Sequence, residues 1–212
     1  MLRYGHVYEG RAWTQRHDEW LRAIRLEHAG SRAAQEHYYA AVLAALSRRD
    51  ALDSQIERLA VEPRWAEVVA RLGCLGGVST LTALGLAVEV GDWHRLSGRT
   101  IGAYLGLVPI EHQSGERHTR AGITKSGNGH ARRLLVEAAW HQRRPIRPSR
   151  ELERRRQLAP AHVRSRAERA ERRLNARWRH LEGARGLRRT IVAVAVAREM
   201  AAHCWDLAVM DA

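Results

Sequence analysis

Phenylalanine is missing altogether, lysine occurs once, at position 125, and cysteine only twice, at positions 74 and 204. Two cysteines without metal-ligand spacing exclude a disulfide scaffold or a zinc site, and they fit a reducing compartment. Long uncharged apolar runs are lacking, which excludes a membrane helix, and no secretory signal pattern opens the chain. A cytoplasmic location is therefore expected. Acidic residues are also scarce, with 23 Asp and Glu against 36 Lys and Arg, so 212 residues carry a net charge of +13. Such a surplus calls for a polyanionic partner, and nucleic acid fits better than a membrane surface. That the charge is nearly all arginine reads as codon bias rather than chemistry.

What is present is largely helical in pattern. Residues 1–30 hold glycine-punctuated chain and a first short helix after Thr14, whose hydroxyl can cap it. Residues 31–61 predict one long helix. Tyr38, Val42, Ala45, Leu52, Ile56 and Leu59 alternate by four and three, with Arg49 the one intruder, the spacing of a coiled-coil seam, although a helix packed on its own domain gives the same pattern. Pro63 ends it. Residues 62–144 begin with a short helix over Trp65, Val68, Val69 and Leu72. Leu75-Gly-Gly-Val-Ser79 then precedes the apolar run Ala83 to Val90, an order resembling a helix-hairpin-helix. In that motif the amides after the glycine turn hold phosphate without reading bases, which makes Gly77, Ser79 and Thr80 candidate phosphate binders. Gly76 and Ser79 stand where the motif usually has proline and a second glycine; serine is a competent helix cap, which keeps phosphate binding in place, and a purely structural hairpin stays open. Trp93, Leu96, Ile101 and Tyr104 predict another helix. Residues 145–212 hold an arginine-dense helical stretch from Glu151 to Glu182 and an apolar closing helix from Ile191 through Val209. The expected fold is mainly α: a coiled-coil helix plus a compact helix-hairpin-helix-containing domain with one short extended segment.

That extended segment leads to the stretch with the most chemistry, Gly106 to Trp140. Gln113-Ser114-Gly115 lets a small hydroxyl stand clear of the surface. A following loop holds Arg117, His118, Arg120 and Lys125, donors suited to phosphate oxygens. Ser126-Gly127-Asn128 offers caps for a helix over Ala131 to Gln142, whose free amides favour an anion. A serine hydroxyl is a poor nucleophile without a base; His112 lies two residues away and is a candidate, as is His118. Ser126 competes with Ser114 as the reactive serine but reads better as a cap or phosphate holder. No metal-ligand set is read in the chain.

Gly106-Leu-Val-Pro109, Ser114-Gly115, Gly122-Ile-Thr-Lys-Ser-Gly-Asn128 and Arg133-Leu-Leu-Val-Glu-Ala-Ala-Trp140 together resemble the C-terminal domain of the IS-one-ten family of insertion-sequence transposases, which includes the Piv DNA invertases. Arg11 to Leu21, Gly77 to Ala83 and Val194 to Met200 also match, so the resemblance covers nearly the whole chain. It implies that Ser114 is a nucleophile forming a covalent phosphoserine link to DNA, and that Arg117, Arg120, Lys125, Ser126, Asn128 and Arg132 orient the scissile phosphate and target backbone. It implies a coiled coil that builds a homo-oligomer and a possible guide (bridge) RNA partner. It also implies an N-terminal RNase-H-like domain whose acidic residues hold Mg2+. That domain is not in this sequence, so no cofactor is expected on the chain itself, which is expected to be inactive alone. The alternative is a non-enzymatic nucleic-acid-binding or dimerising remnant that modulates a full-length transposase.

Overall fold

The computed structural model describes residues 2–210 except 115–116; for Leu2 and residues 111–121 it describes backbone only. The chain divides into two compact units, Met1–Leu52 and Asp53–Ala212. The fold is mainly α, with a single small sheet among the described residues.

In the first unit, Thr14 caps α1 (Gln15–Ala23) by accepting from the His17 amide, as its position before the apolar pattern predicts. Burial there is modest, with Ile24 and Leu26 the enclosed side chains. Polar ties do much of the joining between α1 and α2 (Ala29–Ala60). Tyr39 donates to Asp18 and accepts from Arg22 Nε at 2.8 Å, and Gln35 Nε2 reaches the Leu21 carbonyl at 3.0 Å. The long helix runs nearly as the periodicity predicts. Its seam is mostly uncovered: Tyr38, Leu52 and Leu59 are exposed, Val42 and Ile56 half-buried, and Ala60 buried.

The second unit is organised on α9 (Arg189–Ala208), the closing helix expected from its apolar run. Val192, Val196, Met200, Cys204 and Leu207 are fully enclosed. Helices α3 (Ala66–Leu72), α5 (Ile101–Tyr104), α6 (Gly129–Ala139) and α8 (Ala161–Arg179) pack against it, and α4 (Thr80–Val90) lies between α3 and α6. Leu72, Leu75, Leu86, Leu135, Leu174 and Trp178 fill the space between them. Each such side chain contributes roughly 1.5–3 kcal/mol by leaving water. Cys74 and Cys204 are both buried free thiols, and burial pushes Cys204 up to about 12, so neither is a reactive thiolate.

Three expectations need correction. The segment after Ser114 is not a loop: β1 (Pro109–Ser114) pairs antiparallel with β2 (Arg117–Ile123), so Arg117, His118 and Arg120 belong to a strand. Polar side chains along β2 hide its strand character from a hydrophobic pattern. The helix expected over Trp93 to Tyr104 covers only Ile101–Tyr104. Ser97 and Thr100 exchange side-chain-to-amide bonds at 2.9 and 3.2 Å, which holds a turn instead. The arginine-dense stretch is two helices, α7 (Arg150–Gln157) and α8. Pro160 stands just ahead of α8, where its missing N–H and fixed φ are tolerated.

Candidate functional site

The hairpin rises from a base built by two glycines. Gly106 has φ +64° and Gly127 has φ +79°. A Cβ on Gly106 would run into the Ser126 carbonyl, and one on Gly127 into the Tyr104 carbonyl. The two backbones therefore interlock in a way only glycine permits. Thr124 N donates to Val108 O at 3.0 Å and Lys125 N to Gly106 O at 3.1 Å, closing the base, while Arg132 Nη1 donates to Leu105 O at 2.9 Å and to Ser126 O at 3.3 Å. Lys125 itself sits at φ +55°, an uncommon conformation for a residue with a side chain.

Asn128 caps α6 by accepting from the Ala131 amide at 2.9 Å, and its amide nitrogen donates to Glu89 Oε2 at 2.6 Å. His130 Nδ1 lies 2.6 Å from the other Glu89 oxygen. The hydrogen bond from Asn128, and next that from His130, hold the Glu89 carboxyl below its ordinary value. Ser126 Oγ donates to Thr124 Oγ1 at 3.1 Å. Arg132, Ser126 and Asn128 are thus committed to internal bonds, while Lys125 is exposed. Ser114 pairs with Arg117 and His112 with Thr119 in the strand register. The side chains of His112, Ser114, Arg117, His118 and Arg120, and Gly115 entirely, lie outside the described residues.

The glycine turn between α3 and α4 is packed from behind. Cys74 O accepts from Arg156 Nε at 3.0 Å, Gly76 O from Gln142 Nε2 at 2.6 Å, and Val78 O from Arg155. Gly77 has φ +91° with the α6 end against it, and a Cβ on Gly76 would strike Glu171. Arg156 and Glu171 form a buried pair at 2.6 Å. Ser79 caps α4 through the Thr82 amide, as read from sequence, and Thr80 opens the helix. In front of Gly77 and Ser79 lies a cleft of about 690 Å³ lined by His141, Arg144, Arg147 and Arg155. A larger groove, about 1120 Å³, runs beside the hairpin base between Lys125 and the α8 and α9 helices. Among the described residues no group of three or more His, Cys, Asp or Glu gathers as a metal site.

The profile of the IS116/IS110/IS902 transposase family matches residues 69–153, which run from α3 through the glycine turn, the hairpin and α6 into α7. A putative transposase, y4qE, from Sinorhizobium fredii is 39% identical over 214 residues, 98% of this chain and 50% of the relative. The chain belongs to this transposase family. The transposase of insertion sequence element IS1533 from Leptospira borgpetersenii is 30% identical over 172 residues, covering 80% of this chain and 50% of the relative. That of IS1328 from Yersinia enterocolitica is 43% identical over 74 residues, 34% of this chain and 22% of the relative. The chain spans about half the length of the first two relatives. The family match takes in both glycine turns and the hairpin base. It stops short of α8 and α9, where the sequence marks Arg173 and Arg177 only as part of a charge run; Arg99, within the match, and Arg185, between the two helices, carry no motif. Arg198 and Glu199 in an otherwise apolar helix were the available signal for that side of the groove.

Proposed function

We propose that the chain is the C-terminal catalytic and DNA-binding portion of an insertion-sequence transposase, with Ser114 as the nucleophile of strand transfer. The observation that carries this reading is the placement of Ser114 on a hairpin within the family-matched segment, above a base that Gly106, Gly127 and Arg132 lock together. In the proposed step the Ser114 oxygen forms a bond to a DNA phosphorus, one bridging P–O bond breaks, and the departing sugar oxygen leaves as a hydroxyl. The serine proton passes to a base, for which His112 on the same strand is the candidate, and a proton returned from that base through water completes the sugar hydroxyl. Arg117, Arg120 and Lys125 contact the phosphate and flanking backbone. Ser126, Asn128 and Arg132 act one step back, by fixing the hairpin base and the α6 start. Gly77, Ser79 and Thr80 hold a second stretch of backbone at the cleft shared with Arg144 and Arg147.

The relatives' greater length supports a further domain as the source of the magnesium ligands, and activity then requires that domain. The exposed Tyr38, Leu52 and Leu59 on α2 support pairing with a second copy through a coiled coil. A guide RNA is a further proposed partner. The alternative is a non-enzymatic nucleic-acid-binding or dimerising remnant that modulates a full-length transposase. Substituting Ser114→Ala in a complete transposase assembled with this chain separates the two. Strand transfer lost with DNA binding retained supports the enzyme reading; no transfer from the unsubstituted chain under conditions where a relative works supports the remnant.

A further inference from the structure

We infer that the groove between the hairpin base and α8–α9 binds an unpaired nucleic-acid strand. Its rim carries Arg99, Lys125, Arg173, Arg185 and Arg198, all exposed. Among the described residues none of these five has a carboxylate within ion-pair distance, in contrast to Arg177, whose Nε lies 2.8 Å from Glu199 Oε1, close enough for an ion pair but not aligned as a hydrogen bond. Among the described residues Glu199 is the one carboxylate lining the groove, and it is thus taken. Five uncompensated cations around one groove make a field for a polyanion, and four of them are guanidinium forks matched to phosphate oxygens.

Size and floor narrow the occupant further. At about 1120 Å³ the groove exceeds the ~300–1,000 Å³ of ordinary small-molecule sites, which suits a chain rather than a single phosphate compound. The floor is aliphatic: Leu187, Val194 and Ala195 are half-buried, and Ile191 is 53% exposed. A duplex offers its phosphates and hides its base faces, so it leaves that floor uncovered. An unpaired strand lays phosphates on the rim and base faces on the floor. DNA and RNA share this chemistry. The inference relies on the transposase reading for why such a strand is at hand, but not on Ser114 as nucleophile.

The test is equilibrium binding of the 212-residue chain to a fluorescein-labelled twenty-nucleotide single-stranded DNA, the same RNA sequence, and the DNA duplex, at one fixed salt concentration. Arg173→Glu/Arg198→Glu is expected to weaken single-strand binding about tenfold or more. Arg154→Glu/Arg150→Glu, an equal charge change on α7, leaves it within about threefold, because screening confines the effect to nearby phosphates. Ile191→Asp weakens the single strands more than the duplex. Thermal melts confirm that each variant folds. The readout is binding and needs no strand transfer, so the groove and the nucleophile fail or succeed separately. Preference for DNA or for RNA identifies the source of the strand, and either supports the site. Groove variants that bind like the parent chain, or a duplex that binds more tightly than both single strands, overturn it.

Discussion

The glycine turn at Gly76–Ser79 and the rim of the α8–α9 groove are both ringed with arginine, yet the two sets do different work. Behind the turn, Arg155 and Arg156 face backbone carbonyls, and Arg156 also faces a buried carboxylate. Around the groove, Arg99, Arg173, Arg185 and Arg198 meet no carboxylate among the described residues. The first set is spent on the fold and the second is left for a partner. An arginine surplus in a sequence is therefore two populations, and only the packing around each side chain separates them.

The largest expected effect comes from the spent set. Arg156→Ala leaves Glu171 buried without its partner and strips a donor from Cys74 O, at a cost of about 3–5 kcal/mol, read in a chemical denaturation curve. Arg132→Ala removes the donor bridging Leu105 O and Ser126 O and is expected to cost about 1–2 kcal/mol, because one acceptor is partly open to water. Hydrogen exchange should locate the loosening at Thr124 and Lys125, whose amides close the hairpin base on the Val108 and Gly106 carbonyls. A third change concerns acid. Glu89 is held below its ordinary carboxyl value by Asn128 and His130, so its contribution to stability is present in full above the unfolded value near 4.5 and is lost as pH falls through the lower folded value. Glu89→Gln should flatten the stability decline below that pH while lowering stability at neutral pH. The smallest effect belongs to the groove: Arg173→Ala should shift stability by no more than about 0.5 kcal/mol, as an exposed, unpaired charge. A large loss there would erase the distinction between the two populations.

Local chemistry made much of this legible in the sequence. The caps at Thr14, Ser79 and Asn128 were readable because a small oxygen-bearing side chain ahead of an apolar helical pattern has few better uses than an orphan amide. Pro63 bounded α2, and the apolar run from Ile191 located α9. The β-hairpin was half legible: the apolar lead into β1 showed, but Arg117 to Ile123 carries no alternation to mark it as a strand. The interlock of Gly106 with Gly127 was not legible at all. Gly106 entered only within a motif and Gly127 only among cap residues, since nothing local says that residues twenty-one apart will meet backbone to backbone. The groove escaped for the same reason. Arg99, Lys125, Arg173 and Arg198 come from separate segments that only tertiary packing gathers.

The central claim, that a serine on the hairpin attacks DNA, is tested most directly by trapping the covalent product. The chain would be combined with the half of the Sinorhizobium relative that it does not match, magnesium, candidate guide RNA and labelled donor DNA, and any protein–DNA adduct mapped by peptide mass spectrometry. An adduct on Ser114, absent from Ser114→Ala, is the predicted result. An adduct on Ser126, or none while the complete relative forms its own in parallel, would contradict it.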